Sequence, residues 1–228
     1  MEQQLTDTPR IPRALPWAAA VLTGVALPML LLLVISGSSA PPASAIAPTF
    51  TLALMGLGII GASILGPFRF GVALALSNAA CLAALGLALG MPTLAHPVSI
   101  ALAMVIASGS FAARGALFAK TLSHRGWLMA LFVVAGEASV LLIAYLWPGV
   151  LPGWFLALLP AQWASIAIQT ALGGSGTLAA APVLIALAGT AATTLLARSL
   201  WLRWWPYPLM FTTWLGLSAL VYFSSPPG

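Results

Sequence analysis

Apolar runs of about 20 residues recur along this chain, and proline, glycine or basic residues separate them. Backbone polar groups inside a bilayer need partners within their own segment, so runs of this length cross lipid as helices. We therefore predict an all-α fold, a polytopic transmembrane helical bundle. The predicted spans are 17–36, 48–66, 70–90, 97–118, 127–147, 178–198 and 207–224.

Charge content indicates lipid, not water, as the solvent of most of the surface. Only 5% of the 228 residues are charged, whereas soluble domains carry about 25%. The net charge of +5 comes from scattered basic residues without a binding motif, which argues against nucleic acid as a partner. The predicted partner is the lipid bilayer, and other membrane subunits are candidates.

Basic residues occur at alternate ends of the predicted spans. Arg10 and Arg13 precede the first span, Arg69 separates the second from the third, and Lys120 and Arg125 lie between the fourth and fifth. The intervening loops carry no Lys or Arg. Because basic loops stay on the cytoplasmic side, we predict a bacterial-type inner (plasma) membrane protein with a cytoplasmic N-terminus.

The region 151–173 is long enough to cross a membrane, but Pro160 interrupts it. If it crossed fully, Arg198 and Arg203 would lie outside, against the positive-inside rule. A broken or re-entrant segment puts both arginines inside. We favour seven spans plus one broken segment, and eight full spans are the alternative.

No linker, charge run or repeat divides the chain. We predict a single integral membrane domain over 1–228, with a short cytoplasmic segment at 1–16 and the helical bundle at 17–224. The first apolar run has the basic start of a signal peptide, but it is longer than such peptides require. We expect it to be retained as the first span.

Glu137 is an acid within an apolar run, and the other two acids are Glu2 and Asp7. About ten residues separate it from the start of its predicted helix, which places it roughly 15 Å deep, near the bilayer midplane. We predict that Glu137 faces the bundle interior, with either Arg114, on the preceding span, or Asn78, at a similar depth, as its nearest polar partner. Ionisable residues at this depth are candidates for function.

Gln162 and Gln169 complete the set of candidate binding residues, on the far side of Pro160. The sequence contains no phosphate-binding or dinucleotide-binding glycine motif and no HExxH helix. His96 and His124 lie in loops predicted on opposite membrane faces, so we predict no metal site. We likewise predict no cofactor and no catalytic residue.

Three functions remain open. In the first, the chain is a small-solute or ion transporter, or a permease-type component, that uses Glu137 as a proton-binding or cation-binding carboxylate. In the second, it is a non-catalytic accessory or assembly subunit of a larger membrane complex, and Glu137 pairs structurally with Arg114. The third, an intramembrane enzyme acting on lipid-like substrates, is the least favoured because the chain contains few polar residues.

Overall fold

The computed structural model describes residues 14–37, 42–90, 96–174 and 176–224, and all regular structure in these ranges is helical. Five stretches of helix are long and apolar enough to cross a membrane. The fourth stretch, Pro97–Leu146, contains two helices joined by a short turn. The helices are α1 (Ala14–Ser36), α2 (Ala43–Leu65), α3 (Phe68–Ala88), α4 (Pro97–Leu122), α5 (Gly126–Leu146), α6 (Gly153–Leu156), α7 (Pro160–Leu172), α8 (Gly176–Ala179), α9 (Ala181–Ser199) and α10 (Pro206–Ser224).

Most helix bounds differ from the predicted spans by only a few residues. The largest difference is at α2, which begins at Ala43, five residues before the predicted start at Pro48. Pro48 lies inside the helix, where a packed neighbourhood tolerates proline in membrane proteins. The helix α10 has 19 residues but is not one of the five apolar stretches. Arg10 and Arg13, most of the predicted 1–16 segment, and 225–228 lie outside the described residues.

The helix α2 forms the centre of the bundle. Its most apolar stretch of 18 residues is 100% buried, and none of these residues is charged. Glycines permit this burial, because helices in lipid approach closely where side chains are small. Gly56 of α2 lies against the backbone of Gly24 in α1, and Gly115 of α4 lies against the carbonyl of Ile59 in α2. Both contacts leave no room for a Cβ atom.

The helices α4 and α5 form an antiparallel hairpin around a single 3-10 turn, Ser123–Arg125. Gly126, the first residue of α5, lies against the backbone carbonyl of Phe118. In such a hairpin, residues at similar distances from the turn lie at similar depth. Arg114 is eight residues before the end of α4 and Glu137 is eleven residues after the start of α5, and the long arginine side chain bridges the difference, so the two are in contact.

The region 151–173 is broken into α6 and α7. After α5 ends at Leu146, the chain turns back along α5. Its return is shown by Ala161, which bonds Glu137, nine residues before the end of α5. The helix α7 then runs back, and Thr177, just beyond it, lies 2.9 Å from Ser99 at the start of α4 (Oγ1 to Oγ). With 13 residues, α7 is about 20 Å long. This is shorter than the roughly 30 Å of a hydrocarbon core.

The last two long helices connect the two sides of the bundle. Arg198, at the end of α9, donates a 3.4 Å hydrogen bond from Nη2 to the carbonyl of Gly66, just after α2. The helix α10 runs back, since Tyr222 near its end packs beside Gly153 of α6. The end of α10 therefore lies on the side where α5 ends and α4 begins.

Candidate functional site

An ion pair between α4 and α5 is the centre of the candidate site. Arg114 donates from Nη1 to Oε1 of Glu137 at 2.5 Å, and the side chains are 14% and 12% exposed. Glu137 is eleven residues, about 16 Å, from the start of α5. Of the two alternatives for the partner of Glu137, the structure has Arg114 in contact with it, and the role of the two residues in binding a proton or solute stays a prediction.

The second oxygen of Glu137 binds the start of α7. Ala161 donates its backbone N–H to Oε2 at 2.9 Å. Pro160, the first residue of α7, has no N–H, and the next two N–H groups after Ala161 bond the carbonyl of Leu159. Ala161 therefore supplies the one early donor that needs a partner from elsewhere. A carboxylate at this position also favours the positive end of the helix dipole.

Asn78 does not belong to this site. It donates from Nδ2 to the backbone carbonyl of Gly24 at 2.7 Å, so it connects α3 to α1. The alternative in which Asn78 is the nearest polar partner of Glu137 is therefore wrong. The reason is direction: Asn78 points toward α1, and the α4–α5 hairpin supplies the partner of Glu137.

Gln162 and Gln169 line a small polar cavity, here called the vestibule, of about 210 Å³. With Ser165 they form one face of α7, because they follow at intervals of three and four residues. The opposite wall includes Leu141 and Tyr145 of α5. Leu141 is one helical turn beyond Glu137, so the vestibule and the ion pair lie along the same face of α5.

A second, larger cavity lies directly against the ion pair. This apolar groove, of about 620 Å³, is enclosed by α4, α5, α9, α10 and the segment 155–160, and both Arg114 and Glu137 are part of its wall. Its other polar lining residues are Thr190 and Thr194. Phe132 lies at its rim and is 75% exposed. The ion pair is thus part of the wall of the groove, whereas the vestibule begins one helical turn further along α5, at Leu141.

The contribution of Ala161 could not be read from side chains, since it is a backbone group. A signal was nevertheless present, because Pro160 within an apolar run marks a helix start whose first N–H is missing. The groove had no signal in the sequence, since its apolar residues resemble those of any membrane helix.

No protein family model, curated protein or solved structure matches this chain. The geometry of the ion pair, the vestibule and the groove is therefore the basis for assigning a function.

Proposed function

We propose that the chain is a multi-pass inner-membrane protein of the transporter or permease type, moving a small solute or an ion past an intramembrane carboxylate. One observation carries this proposal: a short half-helix, α7, has its first free N–H bound to Glu137 and its polar face on the vestibule. Discontinuous helices with termini near the midplane commonly form substrate and ion sites in transporters.

The proposed topology has seven spans and one re-entrant segment, with α6 and α7 entering from the outer side. Two contacts support it. Thr177 lies beside Ser99, at the end of the bundle where α5 ends and α6 begins, so the chain leaves α7 on the side on which it entered α6. Arg198 lies beside Gly66, so the last basic cluster is on the same side as Arg69. The N-terminus is then cytoplasmic and the C-terminus is outside, in agreement with the positive-inside rule.

In the proposed mechanism, the vestibule admits the solute from outside and the ion pair closes the path below it. Glu137 holds two elements at once, the guanidinium of Arg114 and the start of α7. Binding of a proton or cation to Glu137 weakens both contacts, because both are hydrogen bonds to a charged acceptor. Movement of α7 away from α5 then opens the path.

Thiol labelling tests the proposed path. In a chain whose Cys81 is replaced by Ser, Gln169→Cys and Gln162→Cys should react with a membrane-impermeant thiosulfonate added outside. Ser139→Cys is the matched control, since Ser139 is on α5 and exposed outside the vestibule lining. It should stay unlabelled in lipid. If neither glutamine position reacts faster than the Ser139 control, the vestibule is not a solute path.

Flux measurements test transport itself. Proteoliposomes should take up protons, read by an internal pH dye, or a small neutral solute such as urea or glycerol, read by light scattering. Replacing Gln162 and Gln169 with Leu should reduce that flux to the level of empty liposomes. Ser139→Ala should not affect it. If the glutamine positions are labelled but neither protons nor the neutral solutes are taken up, the chain does not transport the solutes tested.

The second candidate is a non-catalytic accessory or assembly subunit. It is favoured by the pairing of both Glu137 oxygens within the chain. If the glutamine positions resist labelling and Glu137→Gln lowers only the amount of folded protein, the subunit role is the better explanation.

A further inference from the structure

We propose that the apolar groove beside the ion pair is a binding site for a membrane-soluble molecule of the quinone type, with a planar carbonyl-bearing ring and an apolar tail. The proposal does not depend on transport, because the vestibule and the groove have no lining residue in common. It follows from the depth of the groove, its lining and its hydrogen-bond donors.

Depth restricts the ligand to molecules that dissolve in the membrane interior. Along α5 the groove extends from Phe132 to Val140, and each of these residues is six positions from the nearer helix end. That distance is about 9 Å. Phospholipid esters lie in the interfacial region, outside the hydrocarbon core. A ligand with a polar group at the level of Glu137 must therefore carry that group into the core.

The lining favours a flat ring. Phe155 and Trp214 contribute aromatic side chains to the wall, and Phe132 and Phe211 do so at 75% and 55% exposure. Aromatic rings pair with one another in stacked or edge-to-face arrangements beyond simple burial of area. A groove of about 620 Å³ is within the range of small-molecule sites.

The donors favour a neutral acceptor. Nε and Nη2 of Arg114 are covered by protein and, among the described residues, have no hydrogen-bond partner. The hydroxyl of Thr194, also in the lining, is a further neutral donor. Arg114 is part of the groove wall, so a rotation of its guanidinium toward the groove would offer Nε and Nη2 to a carbonyl oxygen. An anionic ligand would leave net charge in the core, since Glu137 already neutralises Arg114, and buried net charge is costly.

Gly136 provides a direct test, because it lines the groove and a Cβ there would meet nothing within 4 Å. Gly136→Leu should therefore fill the groove without disturbing the fold. Gly216→Leu on α10 is the matched control: its Cβ also meets open space, and Gly216 is not part of the groove lining.

The experiment uses the full chain in nanodiscs of one synthetic phosphatidylcholine, titrated with decylubiquinone, a benzoquinone with a ten-carbon tail. Quenching of tryptophan fluorescence should saturate, and Trp214→Phe should reduce its amplitude. Gly136→Leu should weaken binding at least about ten-fold, and Gly216→Leu should leave it unchanged. Thr194→Val, which removes one neutral hydrogen bond, should weaken it about five-fold. Thr193→Val serves as its control, since the Thr193 hydroxyl bonds the helix backbone.

Three outcomes would overturn the proposal. Quenching that rises without saturation, as it does when the quinone merely dissolves in the phospholipid, would mean that acyl chains occupy the groove. Equal affinities in the two leucine variants would place the quinone elsewhere. Equal competition by decylbenzene, which has the tail and ring but no carbonyl, would show that the groove selects no carbonyl group.

Discussion

Replacing Glu137 with glutamine tests the ion pair most directly, because the shape is kept and the charge is removed. Arg114 then loses its counter-ion while its side chain stays 14% exposed. Removing one partner of a buried pair typically costs about 3–5 kcal/mol. Hydrogen bonds between membrane helices average only about 0.6 kcal/mol. A loss near 3 kcal/mol therefore identifies a true ion pair.

The contact with Ala161 refines this expectation. Glutamine keeps one carbonyl oxygen, which can still accept from the Ala161 N–H, so that bond should survive. In the double variant Arg114→Met with Glu137→Gln, no charge remains and the start of α7 stays bonded. We expect it to recover more than half of the lost free energy of unfolding. Glu137→Leu removes the acceptor as well and should cost about 1–3 kcal/mol more.

The assay is unfolding of the purified protein in mixed micelles with increasing dodecyl sulfate, followed by far-ultraviolet circular dichroism. Ser139→Ala is the control, because Ser139 lies on the same helix and its hydroxyl bonds only the backbone of Ala135. A coupling energy below about 0.5 kcal/mol in the double-mutant cycle would refute the reasoning, since that is the size of additivity error between independent sites.

Three further predictions follow from the packing and the topology. Gly115→Ala should lower the free energy of unfolding by more than about 2 kcal/mol, because its Cβ would overlap the carbonyl of Ile59. Gly109→Ala on the same helix has room for a methyl group and should be neutral or up to about 1 kcal/mol stabilising in the same assay. Asn78→Leu should cost about 1 kcal/mol through its lost bond to the first helix, and a loss below about 0.3 kcal/mol would deny that bond a role. The C-terminus should lie outside the cytoplasm, so a reporter that works only outside should be active when fused after Gly228. Activity of a reporter that works only in the cytoplasm would mean eight spans.

The sequence allowed prediction of an all-helical fold with helices apolar enough to cross a membrane, and it offered the Arg114–Glu137 pair as one of two alternatives. Both follow from position along the chain: apolar runs give the helices, and a short basic turn makes Arg114 and Glu137 meet. Asn78 shows where such reasoning ends. Depth can be counted along a helix, but the direction of a side chain depends on how the helix is rotated. A helix apolar on all sides offers no pattern that fixes its rotation.

Backbone groups and cavities were beyond prediction for a different reason. The bond from Ala161 to Glu137 depends on the fold of a half-helix, which side-chain types do not specify. The groove arises from the spacing of five chain segments, and spacing depends on contacts such as that of Gly115 with Ile59. The number of spans stays a prediction, since five apolar stretches are shown.

The α4–α5 hairpin also has a consequence for synthesis. Arg114 leaves the ribosome 23 residues before Glu137, and an arginine at the centre of a lone helix costs about 2.5–3.5 kcal/mol to insert. The hairpin inserts more easily as a unit, because its three-residue turn brings the carboxylate to the arginine as soon as the second helix emerges. Ala161, in the first turn of α7, follows 24 residues after Glu137, so we expect it to dock onto a pair that has already formed. We therefore expect the site to assemble in the order in which its parts are translated.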